Sequence, residues 1–183
     1  MTITSFSSMD QSTKEQWMTI AHETMANQPR VAEQLLAMVE SLAGITDGFS
    51  VDQKTHSLQT ATRALESGAD EEVVVAALLH DVGKLISVPN HPRIAAEILR
   101  PYVRSEVFWM IAAHQDFQGR HYYQHLGMDP NLREQHRGQE WYALAEQFAD
   151  DWDQTSFDPS FQSRSLDEFA PMVRRVFSSP HSL

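Results

Sequence analysis

Apolar positions along the chain recur mostly at three- and four-residue intervals, the spacing that places them on one face of an α-helix. Ser12 with Glu15 reads as a capping box, so a first helix is expected from there to about residue 27. Val31, Leu35, Leu36 and Val39 form the stripe of a second helix over 29–42. After a turn at 44–49, Asp52 caps a third helix that ends at Gly68. Asp70 opens the most apolar segment, Val73-Val74-Val75-Ala76-Ala77-Leu78-Leu79, which runs into His80-Asp81-Val82-Gly83. By periodicity alone this run could be a buried strand, but its acidic first turn and Gly83 favour a buried helix.

Pro89 closes the next loop, and Asn90 caps a helix with Pro92 in its first turn that ends before Pro101. Ser105 caps another, through Phe108, Ile111 and Ala112 to about residue 117. A short helix with Tyr122, Tyr123 and Leu126 precedes Gly127, and Asp129-Pro130 begins a turn. Residues 138–151 read as helix with Trp141, Leu144 and Phe148 inward, 155–163 as loop, and 166–177 as a last helix that Pro171 should distort or delay. No segment carries a convincing strand pattern. The fold class is therefore all-α: a helical bundle in a single domain over 1–183, its core at about 28–177, with a flexible N-terminal stretch at 1–11.

Composition narrows the function. The 183 residues, 42% of them hydrophobic, suit one globular core. No apolar run approaches a membrane span, and residues 1–10 lack a signal-peptide pattern, so a cytoplasmic protein without a membrane partner is expected. The absence of cysteine excludes disulfides, iron–sulfur clusters and thiol nucleophiles, leaving nitrogen and oxygen as the ligands for any metal. A formal charge of −11 argues against a nucleic-acid surface but leaves room for a small anionic or zwitterionic organic substrate in a local basic pocket. Nothing calls for an obligate protein partner.

Chemistry concentrates around His80-Asp81. A polar pair at the end of so apolar a helix needs partners. Adjacent helical residues point roughly 100° apart, so His80 can bind one ion while Asp81 bridges two. His56 lies on the preceding helix, His91 at the start of the next, His114 near the end of the one after, and Asp153 follows Trp152 on a later helix. Side chains from helix ends can converge in a bundle core. Asp150 and Asp151 compete with Asp153 for its role. Lys84 and Gln118 (the latter four residues after His114, on the same helix face) are candidate pocket residues, Lys84 as a point charge that could hold an anionic group or polarise a hydroxyl. His22, His125, His136 and His181 read as surface or satisfied histidines. His121 could reach a pocket, but the surface reading is preferred. Trp109, Tyr122 and Tyr123 read as packing, and Arg174-Arg175 as a solvated face or a contact to an acidic surface.

The ordered set His56, His80-Asp81, His91, His114, Asp153 resembles the HD-domain superfamily in its six-ligand dinuclear form, over about residues 52–153. Most such proteins are phosphohydrolases, and one branch is oxidative: myo-inositol oxygenase and the hydroxyphosphonate oxygenases use a mixed-valent diiron site. Three stretches are similar to the phosphonate-cleaving members: His56-Ser57-Leu58-Gln59, Ala76-Ala77-Leu78-Leu79-His80-Asp81 and Trp152-Asp153. The segments 114–119 and 122–129 are similar to the branch acting on trimethylammonio-hydroxyethylphosphonate. The resemblance implies two iron ions, Fe(II)/Fe(III), one held by His56, His80, Asp81 and Asp153, the other by Asp81, His91 and His114. It implies cleavage of the C–P bond of a 1-hydroxy-2-(trimethyl)aminoethylphosphonate-like compound with O2, and a contact of Lys84 with the substrate. The alternative is a phosphohydrolase in which other divalent metals activate water against a phosphomonoester or nucleotide. The chain departs from the aminoethylphosphonate oxygenases where they carry a Tyr and a Glu before the first His: Thr46 and Phe49 stand there. Phe49 could close an apolar wall or pack against a quaternary ammonium group.

Overall fold

The computed structural model describes residues 6–181, and those residues contain helices and turns but no strand. Residues 1–5 of the expected flexible stretch lie outside the described residues, and Met9–Gln11 form a 3-10 turn. Helix α1 spans Lys14–Ala26 and α2 Arg30–Ser41. The capping box of α1 sits one residue later than the sequence suggested. Thr13 Oγ1 accepts from the Gln16 amide at 3.3 Å, and the Gln16 side chain accepts from the Thr13 amide at 2.8 Å. Ser12 instead donates to the Met9 carbonyl.

Helix α3 (Gln53–Glu66) and helix α4 (Glu71–Leu79) form the centre. Asp52 caps α3 through Thr55 N–H at 2.8 Å and also accepts from Gly44 N–H at 2.9 Å, which ties down the preceding loop. Asp70 caps α4 through Val73 N–H at 3.1 Å. All seven apolar residues from Val73 to Leu79 are buried, as a helix apolar on every side must be. Each of the larger ones contributes roughly 1.5–3 kcal/mol by leaving water. Helices α2 and α3, the helix Ser105–Ala112 and the C-terminal helix pack around α4.

Helix α5 spans His91–Leu99, α6 Ser105–Ala112 and α7 His114–Gln118. The single helix expected over 105–117 is thus two, broken at Ala113 (φ −107°, ψ 0°). The break frees the Ile111 carbonyl to accept from the His114 ring at 2.8 Å. Ser105 does not cap α6: it is the first helical residue, and Arg104 holds the cap position with its N–H on Glu72 at 2.8 Å. Nor does the Asn90 side chain cap α5.

Helix α8 (Tyr142–Gln147) continues into a π-helical segment, Phe148–Asp153. Helix α9 spans Leu166–Val176 and passes through Pro171 without a break, contrary to expectation. Pro171 and Asp167, whose carbonyl loses its partner, are both exposed, while Phe169, Ala170 and Val173 anchor the helix in the core. Arg174 pairs with Glu33 at 2.6 Å and Arg175 with Glu71, so the basic pair meets acidic groups of α2 and α4.

Candidate metal centre

Six side chains from five segments meet at one end of α4: His56 from α3, His80 and Asp81 just past α4, His91 opening α5, His114 opening α7, and Asp153 closing the π-helical segment. All are buried, His91 being the most exposed at 6%. Each imidazole is held by its Nδ1. His80, His91 and His114 reach the carbonyls of Ala77, Val88 and Ile111, three residues back, at 2.8, 2.7 and 2.8 Å, and His56 reaches the Ser156 carbonyl at 2.9 Å. A carbonyl only accepts, so every Nδ1 carries the proton and every neutral Nε2 presents a lone pair.

Those lone pairs face each other. His56 Nε2 and His80 Nε2 are 3.1 Å apart, and His91 Nε2 and His114 Nε2 are 3.3 Å apart. Asp81 Oδ2 lies 3.3 Å from His80 and 3.6 Å from His56, while its Oδ1 lies 3.1 Å from His91 and 3.8 Å from His114. One carboxylate thus turns one oxygen toward each histidine pair. Asp153 Oδ1 joins the first pair, 3.1 Å from His56 and 3.7 Å from His80. Asp81 Oδ1 and Asp153 Oδ2 are buried with no hydrogen-bond donor. Converging lone pairs and orphaned carboxylate oxygens out of water are unstable alone and are satisfied by cations. His56, His80 and Asp81 could hold one metal ion, and Asp81, His91 and His114 a second.

The electrostatics agree. Burial alone would raise the Asp81 carboxyl, but His80, His91 and Lys84 hold it well below the usual carboxylate range. Burial opposes charge on Asp153 as well, and His56, His80 and His114 outweigh it. Burial, with His80 adding to it, pushes His114 down to about 3, so that ring is neutral at pH 7. For His80 burial works the same way, but the Asp81 and Asp153 carboxylates outweigh it and raise the ring, so a proton competes with a metal for its Nε2.

A cavity of about 540 Å³ reaches this centre at His91. Lys84 lines it, its ammonium donating to Asp81 Oδ2 at 2.7 Å and to Gln53 at 3.0 Å. Gln118 lines it too, donating to Asp153 Oδ1 at 3.2 Å. Of the competing acids, Asp151 is exposed and Asp150 accepts from His121 instead. His121 is a half-buried cavity residue, which corrects the surface reading made from sequence, while Tyr122 lines the cavity and also packs as expected, its ring edge-on to Tyr123 at 4.9 Å. Trp109 packs as expected, stacked on Trp141 at 5.8 Å.

Phe157, not singled out from sequence, stacks on the His56 ring at 4.2 Å, and Phe49 stacks on Phe157 at 4.4 Å. Both line the cavity with Asp47, whose backbone is left-handed (φ 49°). The sequence signal for Phe157 was no more than its being one of two phenylalanines in the loop 155–163.

Comparison with protein families matches the HD domain model to residues 54–158, more than half of the chain and the whole span of the six clustered residues. Comparison with curated proteins gives no significant match.

Proposed function

The chain belongs to the HD-domain family, and on that premise we propose that it is a two-metal enzyme whose ligands are His56, His80, Asp81, His91, His114 and Asp153. The observation that carries this reading is Asp81, which offers a separate oxygen to each histidine pair. The pair at His56 and His80 gains Asp153 as well. The pair at His91 and His114 has fewer protein donors and borders the cavity, so substrate meets the metals from that side.

The finer reading is a mixed-valent diiron oxygenase that cleaves the C–P bond of a 1-hydroxy-2-(trimethyl)aminoethylphosphonate-like compound. When bound, the two irons supply the redox capacity for O2 chemistry. The atoms balance with one O2: one oxygen enters the carboxylic acid formed from the hydroxyl-bearing carbon, the other enters the phosphate released. The chain's own residues support such a substrate. Stacked Phe49 and Phe157, with Asp47 beside them, suit a quaternary ammonium group. Lys84 sits where its charge neutralises Asp81 and meets an anionic group in the cavity. Gln118 steadies Asp153 and keeps its remaining polar capacity for the cavity.

The deciding experiment is anaerobic purification followed by metal analysis, EPR and O2-consumption assays with that hydroxyphosphonate. Two irons per chain, a mixed-valent signal that changes on adding the compound, and O2 uptake with phosphate release are expected. Manganese in place of iron, no O2 uptake and turnover of a phosphomonoester would instead establish the phosphohydrolase reading. His91→Ala should remove about one metal per chain, and an unchanged metal content would remove His91 from the ligand set.

A further inference from the structure

Behind the cavity wall lies a charged network that the metal cluster does not use. His121 follows His114 by seven residues and Gln118 by three, the spacing of a shared helical face. It closes the 3-10 turn Gly119–His121, which continues α7. Its Nε2 lies 2.9 Å from Asp150 Oδ1. Arg133, only 6% exposed, donates through Nη1 to both oxygens of Asp150 at 3.0 Å. Its Nη2 is 3.4 Å from Glu146. Among the described residues, no hydrogen bond or ion pair joins His121, Asp150 or Arg133 to the six clustered residues.

Two features point toward a ligand. First, charge: two carboxylates, Asp150 and Glu146, face one guanidinium, so one negative charge is left beside the His121 ring. Second, direction: with Nε2–H committed to Asp150, Nδ1 is the ring's remaining polar atom, and His121 lines the cavity. In the same segment Gln115, Gln118 and Tyr122 line the cavity with amide and hydroxyl donors. A ring oriented by a carboxylate on one side, in a wall that carries amide and hydroxyl groups, is suited to an oxyanion, since charge-assisted hydrogen bonds from a pre-oriented donor are the strong ones.

We propose that His121 donates a hydrogen bond from Nδ1 to an oxygen of the ligand's phosphoryl group, and that Asp150 and Arg133 are positioning residues acting through it. The proposal rests on the two-metal reading only in taking the ligand to be a phosphonate or phosphate ester, and it holds for either reaction. Asp150 fixes which ring nitrogen is free. Arg133, bound to both oxygens, fixes the carboxylate.

The test is calorimetric titration of the metal-loaded protein with inorganic phosphate. His121→Ala is expected to weaken phosphate binding about tenfold or more, as loss of a charge-assisted contact does. Asp150→Asn, which keeps the shape, is expected to weaken it several-fold and to have no further effect in the His121→Ala background. That non-additivity is the signature of a residue acting through another and would not arise from a merely structural role. The proposal is overturned if wild-type protein with its metals bound takes up no phosphate, if His121→Ala binds it as tightly as wild type, or if the two losses add. Metal content measured on every sample registers failure of the two-metal reading separately, as a chain without bound metal.

Discussion

Gly83→Ala tests how tightly the second metal position depends on backbone packing. Gly83 is not among the residues with positive φ, so its backbone conformation does not demand glycine. Space does. A Cβ there would lie 2.3 Å from the His91 carbonyl oxygen, 2.8 Å from its Cα and 2.9 Å from its carbonyl carbon. Carbon–oxygen contacts normally settle near about 3.3–3.6 Å, so the two segments must part by roughly 1 Å. All three obstructing atoms are backbone, so no side chain can swing aside: the start of α5 or the turn Val82–Leu85 has to retreat. Metal–ligand distances tolerate about 0.2 Å, so a shift of that size removes His91 Nε2 from the reach it shares with Asp81 Oδ1 and His114. Gly83→Ala should therefore lose one metal per chain, while the position at His56, His80 and Asp153, carried on other segments, keeps its own. Overpacking of this kind typically costs about 1–3 kcal/mol, or roughly 2–12 °C in Tm for a chain of this length. The assay is metal stoichiometry after gel filtration with thermal unfolding in excess EDTA, where the steric cost should persist without metal. Two metals per chain with wild-type chelator resistance, and an unchanged Tm, would refute the reasoning.

Asp153→Asn should weaken the first metal position about 10–100-fold in chelator competition, whereas Asp151→Asn should leave it unchanged; the reverse pattern would reassign the carboxylate. Asp70 is held below the usual carboxylate range because Arg104 and the Val73 N–H outweigh its partial burial. A depressed carboxyl contributes stability above its unfolded value that is lost as pH falls through the lower folded one, so Asp70→Asn should flatten that part of the acid-unfolding curve; an unaltered curve would exclude the linkage. Pro171→Ala should restore the hydrogen bond to the exposed Asp167 carbonyl and raise stability by about 1–3 kcal/mol in urea unfolding, and a loss of stability would show that α9 relies on its proline.

The sequence read well where one residue decides the outcome. Asp52 and Asp70 cap their helices as expected, because a carboxylate just before a helical stripe has few competing uses. The helical form of 73–79 followed from its acidic start. The six clustered residues were found because their order carries the information. Features set by tertiary contact were not legible. Nothing in Ala113, a good helix former, announces the break that turns His114 inward. The π-helical segment has no sequence mark, yet it separates the tasks of Asp150, facing His121 and Arg133, from that of Asp153 in the cluster. Phe157 and His121 gain their positions from a loop and a short turn, where periodicity has nothing to say.

The Nδ1 anchors also imply an order in time. Three of the four imidazoles are braced within their own stretch of chain, by carbonyls three residues back. His56 alone depends on a carbonyl 100 residues away. A growing chain that has reached residue 118 therefore already carries Asp81, His91 and His114 with their braces. The partner position waits for Asp153 and Ser156, and for the segment that Gln59 and Arg63 dock onto α3 through Asp158 and Thr155. On the two-metal reading, the ligands at His91 and His114 are thus complete in the chain before those at His56, whose closure joins the last-made part of the chain to the first.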